Sequence, residues 1–298
     1  MSNSGISDPA VTEQSLARFR EDPRVYTDPV RTDEDKDVWI SLLTLLHQLW
    51  KCHENSLHAD YLSGLRCLDI STSRIPSLDD INRMLSSIGW SAAYVDGMVD
   101  DRLYQEMQAS RVFPVARHIR QKRDLYHSAA PDFIHDVVGH LPMLFSPQYQ
   151  SLLNEWAQRA LMARPDAKDV QVSKALAALI EEREKESPDL EAIAKKTAIL
   201  QQLHLKTCAS PSRAARFARF YAWAIEFGAT FDEVGGIKIS GSAALSSPGE
   251  FKRMVSGETR LRPFTLHAIT SPVNYSVVQD TMFVAKDFSE YRHVLASI

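Results

Sequence analysis

The stretch from Pro131 to Pro142 places two histidines, His135 and His140, five residues apart in an otherwise apolar segment. On an unbroken α-helix that offset exceeds a full turn, so the two side chains would diverge. Gly139 predicts a way round this, because glycine commonly adopts the left-handed conformation just past a helix end, and Pro142 blocks continuation. We therefore expect His135 in the last helical turn and His140 beyond it, both directed at one metal ion. On spacing alone, hydrogen-bonded structural histidines remain the commoner explanation.

A second stretch, from Ala218 to Gly228, is aromatic and almost wholly apolar, with Glu226 near its end. A carboxylate in such a helix must be paired, protonated or metal-bound, because burying it bare is very costly. A salt bridge to Arg216 or Arg219 is the simpler explanation. The alternative is a ligand set of two neutral histidines and one carboxylate, which suits a non-haem iron(II) with open coordination positions.

Together the two stretches resemble the pterin-dependent aromatic amino acid hydroxylases, in their short bacterial form that consists of the catalytic domain alone. That family carries Pro-Asp-x-x-His-Glu-x-x-Gly-His-x-Pro and then Glu-Phe-Gly at the end of an aromatic helix. Both occur here in the same order, with Asp136 in place of the motif's Glu, and the resemblance runs from about Thr32 to the C-terminus. It implies Fe(II) bound by His135, His140 and Glu226, a tetrahydropterin, O₂, and hydroxylation of the ring of a free aromatic amino acid.

The resemblance also implies a pterin pocket. Its residues would be Val99, Asp101, Tyr104, Asp136 and Tyr221. An aromatic side chain there would stack on the pterin ring, and loop backbone groups would bind its edge. Asp is one methylene shorter than Glu, so contact from Asp136 would need a bridging water. Without the family, residues 99–104 indicate only an acidic turn followed by a helix.

Five further residues are implied on the substrate side: Arg120, Ser128, Ala222, Phe227 and Ser246. Arginine binds a carboxylate through two parallel hydrogen bonds, which suits Arg120 as the anchor of an amino acid. An exposed arginine on a strand continuing through 118–120 is the alternative. Ala222 replaces a large aromatic residue of the family and should free volume beside the substrate ring. Phenylalanine is the first expectation, and Ala222 makes tryptophan or a non-para ring position more plausible.

The remaining sequence predicts a mainly α fold with short β-strands and a single catalytic domain over 32–298. A polar extension would precede it at 1–31, and a helical-hairpin insertion would lie at about 162–206. The net charge of −4 gives no electrostatic basis for binding nucleic acid, and no apolar stretch is long enough for a membrane. Three cysteines without a CxxC pair suit a reducing, cytoplasmic location. No long heptad helix ends the chain, so a monomer or dimer is expected.

Two other functions use the same residues. A hydrolase could hold zinc and an activated water on the two histidines and the carboxylate. A binding protein derived from the hydroxylase fold could retain the ligands without turnover, given Ala130 and Ala222 at positions where the family has larger side chains. Metal content and pterin-dependent oxygen uptake separate these possibilities.

Overall fold

Side-chain caps fix where the first helices begin. Thr32 and Asp35 form a reciprocal capping box at the start of the first long helix, and Ser77 and Asp80 form another. Each box satisfies backbone N–H groups that a helix leaves without partners, and the acidic first turn favours the helix dipole. Both helices therefore begin beside residues of the types that favour a helix start.

The computed structural model describes residues 25–26, 29–96, 99–128, 130–185, 187–275 and 277–298. Most of the predicted polar extension, residues 1–24 and 27–28, lies outside them. In the described ranges the α-helices are α1 Asp33–Cys52, α2 Ala59–Leu68, α3 Leu78–Leu85, α4 Asp101–Ala109, α5 Pro147–Leu161, α6 Ala167–Glu184, α7 Leu190–Cys208, α8 Arg213–Phe220, α9 Ser242–Ser246, α10 Pro248–Val255 and α11 Phe288–Ala296. The mainly helical fold class is therefore confirmed.

In the part of the chain that the structure describes, seven short strands form two small sheets. They are β1 Val25–Tyr26, β2 Ser91–Val95, β3 Val112–Ala116, β4 Ala229–Phe231, β5 Ile237–Ile239, β6 Arg260–Pro263 and β7 Thr281–Ala285. The first sheet has the order β1-β2-β3, with β1 antiparallel and β3 parallel to β2. The second has the order β5-β4-β7-β6, with β4 and β5 antiparallel and the other pairs parallel. Strands β4 and β5 form a hairpin that turns at Gly235, where φ is +85°.

One large apolar core joins the helices and both sheets around two segments of π-helix, His135–His140 and Tyr221–Glu226. All twelve residues of these segments are buried. Tyr61 of α2 donates its hydroxyl to the carbonyl of Val138 at 2.9 Å, which attaches the first segment to the helical layer. The core therefore surrounds both stretches that the sequence marked as functional.

Helices α6 and α7 pack against each other as a hairpin, as predicted, and Asp166 caps the start of α6. Near the end of α6, Glu182 is buried although the surrounding sequence is highly charged, and it pairs with Lys185 and Lys196 at 2.9 and 2.8 Å. Arg123 donates to the carbonyls of Arg183 and Lys185, so the end of α6 contacts the loop after β3. Whether this hairpin is an insertion stays a prediction, as do the domain boundaries.

No helix among the described residues has the length and apolar character that crossing a membrane would require.

Candidate metal centre and active-site cavity

The two histidines face each other because the backbone between them forms a π turn. Residues His135–His140 are π-helical, and the N–H of Leu141 bonds to the carbonyl of Asp136, five residues back. A bond from i to i+5 widens the turn, so side chains five apart return to the same side. The Nε2 atoms of His135 and His140 lie 3.2 Å apart. The prediction that the pair converges is met by a different geometry from the expected helix end.

Gly139 is therefore not a left-handed helix cap, and the prediction that it ends the helix is wrong. The glycines with positive φ among the described residues are Gly89, Gly235 and Gly257. Gly139 instead permits a close approach, because a Cβ there would lie 2.5 Å from the carbonyl oxygen of Ser242. The missing side chain lets α9 pack directly on the turn that carries the histidines.

Glu226 approaches the histidines from a second π turn, Tyr221–Glu226, which continues α8. Its Oε2 lies 3.4 Å from Nε2 of His135, and its Oε1 lies 3.3 Å from Nε2 of His140. One ligand atom from each residue fits within a 4.8 Å cluster. The alternative of a salt bridge to Arg216 or Arg219 is wrong, because Glu226 contacts the two imidazoles and accepts a 2.7 Å hydrogen bond from Ser242.

The hydrogen bonds around His135 favour a cation at the centre of this cluster. Ser246 donates its hydroxyl to the carbonyl of Ser242 at 2.7 Å, so it can only accept from Nδ1 of His135, 2.9 Å away. In the neutral ring, Nε2 then carries a lone pair directed at His140 and Glu226. Lone pairs and a carboxylate that face one another repel unless a proton or a metal ion lies between them. The donor set thus fits a divalent metal.

The pKa values of the three groups reflect how closely they are coupled. Burial alone would raise the pKa of Glu226, but the two imidazoles hold it well below its ordinary value. Burial opposes protonation of His135, yet the Glu226 carboxylate raises the pKa of that histidine. Burial lowers the pKa of His140. Glu226 is therefore ionised at neutral pH, as a metal ligand must be.

Two residues that support the cluster carry no signal in the sequence. Tyr149 of α5 places its hydroxyl 3.2 Å from Nδ1 of His140, and Ser242 of α9 binds Glu226. Groups of this kind orient metal ligands and fix their tautomers. They come from elements 9 and 16 residues away from the ligands they support, so only the fold reveals them.

A cavity of about 450 Å³ opens beside His135 and Glu226. The predicted pterin-side residues all line it: Val99, Asp101, Tyr104, Asp136 and Tyr221. The hydroxyls of Tyr104 and Tyr221 are hydrogen-bonded to each other, and Trp156 packs on Tyr221 with ring centroids 4.5 Å apart. The volume and the mixed polar and apolar lining of this cavity are typical of a small-molecule site.

Asp136 lies in the cavity wall beneath strand β3. Its Oδ2 accepts a 2.7 Å hydrogen bond from the backbone N–H of Ala116. Burial raises the pKa of Asp136 to about 7 despite that bond and the nearby His135. The carboxyl is therefore fixed to the protein backbone on one oxygen and faces the cavity as a group that titrates near neutrality.

Arg120 also lines the cavity, but it is neither on a strand nor exposed. Strand β3 ends at Ala116, so the prediction that residues 118–120 continue it is wrong. Asp132 accepts the backbone hydrogen bond that a neighbouring strand would otherwise accept. Its Oδ2 accepts from the N–H of Arg120 at 2.8 Å, and its two oxygens bind the guanidinium at 3.0 and 2.7 Å. The third guanidinium nitrogen, Nη1, has no hydrogen-bond partner among the described residues. It is the donor left for a ligand.

Of the other predicted substrate-side residues, Ser128, Phe227 and Ser246 line the cavity, but Ala222 does not. Ala222 is fully buried in the core, 0% exposed. The adjacent Trp223 packs against Phe227 and Phe283 and adds no wall at this position. A methyl group is too short to reach the cavity from the π turn, so the expectation that Ala222 borders the substrate ring is not met.

The fold and the centre together define a class: a mainly helical protein with two histidines and one glutamate, the donor set of a metalloenzyme, at the wall of a cavity. Comparisons with known proteins give the same class. The family model of the biopterin-dependent aromatic amino acid hydroxylases matches residues 17–179 and 193–297. The chain belongs to this family. It is a pterin-dependent aromatic amino acid monooxygenase, and the cofactors of its family are iron and a pterin.

Individual relatives agree. The chain is 29% identical over 278 residues to phenylalanine-4-hydroxylase of Pseudomonas aeruginosa, covering 93% of this chain and 86% of that protein. It is 25% identical over 275 residues to tryptophan 5-hydroxylase of Xenopus laevis, covering 89% of this chain and 47% of that protein. Its fold matches a structure of Chromobacterium violaceum phenylalanine hydroxylase with bound iron(III) and 7,8-dihydrobiopterin, at TM-score 0.71 and 20% identity, covering 98% and 91% of the two chains.

The comparisons bear on the functions that the sequence left open. A zinc hydrolase conflicts with membership of the biopterin-dependent hydroxylase family. A binding protein derived from the hydroxylase fold would share that family, and it conflicts instead with the monooxygenase relatives. The family model leaves residues 180–192 unmatched, at the end of α6, the connection and the start of α7.

Proposed function

We propose that His135, His140 and Glu226 hold the iron, and that the chain hydroxylates the ring of a free aromatic amino acid, phenylalanine in the first place. The observation that carries this proposal is the buried cluster whose three ligand atoms lie within 4.8 Å. Each proposed ligand is held by a hydrogen bond: His135 by Ser246, His140 by Tyr149 and Glu226 by Ser242. Two histidines and one carboxylate leave coordination positions open, as an oxygen-activating iron requires.

We further propose that the pterin lies between the metal cluster and α4. Val99, Asp101, Tyr104, Asp136 and Tyr221 line that side of the cavity. The Tyr104 and Tyr221 rings give apolar surface for a flat heterocycle, and Asp136 presents a carboxyl group beside it. Because Ala116 already binds one oxygen of Asp136, the other remains for a polar edge of the ligand or a bridging water.

The amino acid would be anchored by Arg120. Asp132 holds the guanidinium rigidly through two bonds and leaves Nη1 for the substrate carboxylate. An arginine whose position is fixed before binding loses little entropy when it binds. Ser128, Phe227 and Ser246 complete this side of the cavity. Tryptophan is the second candidate, and it is supported by the similarity to a tryptophan hydroxylase.

When bound, iron and a tetrahydropterin together supply the electrons that activate O₂ for attack on the aromatic ring. The residues of the chain bind, orient and exclude water. Arg120 fixes the end of the amino acid, which sets the distance from its ring to the metal cluster. The buried tyrosines and Trp156 keep the pterin side dry. We also propose that O₂ is the cosubstrate, that the protein is cytoplasmic and that it is a monomer or a dimer.

The test is incubation of the iron-loaded protein with tetrahydropterin and O₂ against phenylalanine, tryptophan and tyrosine separately. Mass and ring position of the products identify the substrate and the carbon attacked. We expect hydroxylation of phenylalanine that depends on both iron and pterin. Turnover of tryptophan alone would replace the proposed substrate, and no hydroxylation of any of the three would refute the proposal.

A further inference from the structure

The cavity extends beyond the metal cluster into a branch between α5, α6, α7 and α8. Small side chains line much of this branch: Ala160, Ala163, Ala214, Ala215 and Ala218. Val172, Ser173 and Leu176 of α6 form the opposite wall. The branch is distinct from the Arg120 side of the cavity, because its walls come from the hairpin and from α8.

Arg219 of α8 lies in the wall of this branch and is only 6% exposed. Its Nη2 donates to the hydroxyl oxygen of Thr207 at 2.6 Å. Its Nη1 is buried and has no hydrogen-bond partner among the described residues, and none of their carboxylates forms an ion pair with it. Buried guanidinium groups are normally paired, so an orphaned donor of this kind calls for an explanation.

The polar groups near Arg219 are already engaged. Thr207 donates its hydroxyl to the carbonyl of His204 at 2.9 Å. The nearby carboxylate of Asp169, also in the cavity wall, accepts from the hydroxyl of Ser212 at 2.6 Å and from the N–H of Asp166 at 2.8 Å. The negative charge of Asp169 raises the pKa of Arg219 against the effect of burial, but Asp169 forms no hydrogen bond with the free Nη1. A buried donor of a charged group that lacks a partner is destabilising, so an acceptor bound there would be favoured.

We propose that Arg219, held in place by its hydrogen bond to Thr207, forms an anion subsite that takes the carboxylate of a small organic acid in this branch. A planar carboxylate fits the guanidinium better than a spherical anion does, because it can accept from two nitrogens. The carboxylate belongs to a separate acid that shares the cavity with the amino acid substrate. The subsite does not depend on which aromatic amino acid is hydroxylated.

The experiment is calorimetric titration of the iron-loaded protein with benzoate, comparing the wild type, Arg219→Met, Arg216→Met and Arg120→Met. Methionine keeps the apolar stem of arginine, and Arg216 is an exposed arginine on the same helix, which makes it the matched control. We expect Arg219→Met to weaken benzoate binding about tenfold or more, since one charge-assisted hydrogen bond accounts for that much. The Arg216→Met and wild-type affinities should agree within about twofold.

Repeating the titration with saturating phenylalanine separates this subsite from the amino acid site. Benzoate binding should be retained. Displacement by phenylalanine would mean that benzoate occupies the amino acid site, which would overturn the proposal. If Arg219→Met is unfolded by thermal melting, Arg219→Lys, which keeps the charge but loses the planar fork, should still bind benzoate more weakly than the wild type. No measurable benzoate binding by the wild type, equal affinity in Arg219→Met, or loss in Arg120→Met alone would each overturn the proposal.

Discussion

The Nδ1 of His135 lies 2.9 Å from the Oγ of Ser246, whose own hydrogen is donated to the carbonyl of Ser242. This chain fixes the tautomer of His135 and directs its Nε2 at Glu226. We predict that Ser246→Ala lowers iron affinity about 10- to 100-fold, the usual loss when a supporting partner of a ligand is removed. Iron titration by competition with a chelator measures it. Ser256→Ala, an exposed serine that caps the end of its own helix, should have no effect.

Removing a ligand should have a larger effect than removing its support. His135→Ala and Glu226→Ala are each expected to lose bound iron and all detectable hydroxylation, because two donors cannot hold the metal in a defined geometry. Iron content after gel filtration and product analysis check this. His293→Ala, on the exposed side of α11, is the control. Full turnover by either ligand variant would exclude the proposed centre.

Gly139→Ala should disturb the centre without changing any ligand. The added Cβ would lie 2.5 Å from the backbone oxygen of Ser242, so α9 must move away from the π turn. We expect a loss of about 1–3 kcal/mol in the free energy of unfolding, typical of overpacking, together with weaker iron binding because Ser242 and Ser246 move. Denaturant unfolding and iron titration measure both. Gly257→Ala has open space around it but a positive φ of +78°, so it should lose stability through backbone strain and leave iron binding unchanged.

Arg120→Lys tests the substrate anchor. Lysine retains a charge beside Asp132 but loses the planar guanidinium, so it cannot bind Asp132 and a carboxylate in the same way. We expect KM for the amino acid to rise about tenfold or more with a smaller change in kcat, as when a ground-state contact is lost. Arg120→Ala would additionally leave the buried Asp132 carboxylate without its cationic partner, at a cost of at most about 3–5 kcal/mol of stability, because the backbone N–H groups of residue 120 and His135 still donate to it. An unchanged KM in Arg120→Lys would remove Arg120 from this role.

Glu250 should make stability depend on pH. Burial raises its pKa to about 7, although the N–H of Gln279 donates to its carboxylate and favours ionisation. A carboxyl with a raised pKa in the folded state is fully compatible with folding below its ordinary pKa of 4.5, and that advantage is lost as pH rises through about 7. We predict that Glu250→Gln becomes more stable than the wild type between these values, by at most roughly 3 kcal/mol.

The measurement for Glu250→Gln is denaturant unfolding of both proteins from pH 4.5 to pH 8. Burial lowers the pKa of the nearby His127, which weakens its ability to compensate the Glu250 carboxylate. Glu258→Gln, at an exposed position, should follow the wild type throughout. A difference between Glu250→Gln and the wild type that stays constant with pH would contradict the prediction.

Much of the local structure could be predicted. Thr32 and Ser77 mark helix starts, and Gly235 marks a turn, because each acts through hydrogen bonds or dihedral preferences within a few residues. The three ligands were also identifiable, since their residue types are costly to bury without a common partner. The predictions that were wrong concern features that distant parts of the chain determine. They are the end of β3, which lies before Arg120, and the assignment of Ala222 to the cavity wall.

The sequence by itself determined the family, the mainly helical class and the candidate set of metal-ligating side chains, because these depend on residue type and order. The tertiary structure alone decided how the ligands meet. Two π turns, the close packing of Ser242 on Gly139 and the bond from Tyr149 to His140 bring the donors together. It also left the Nη1 of Arg219 buried with no hydrogen-bond partner among the described residues. Such relationships depend on the packing of segments far apart in the chain, which no local pattern encodes.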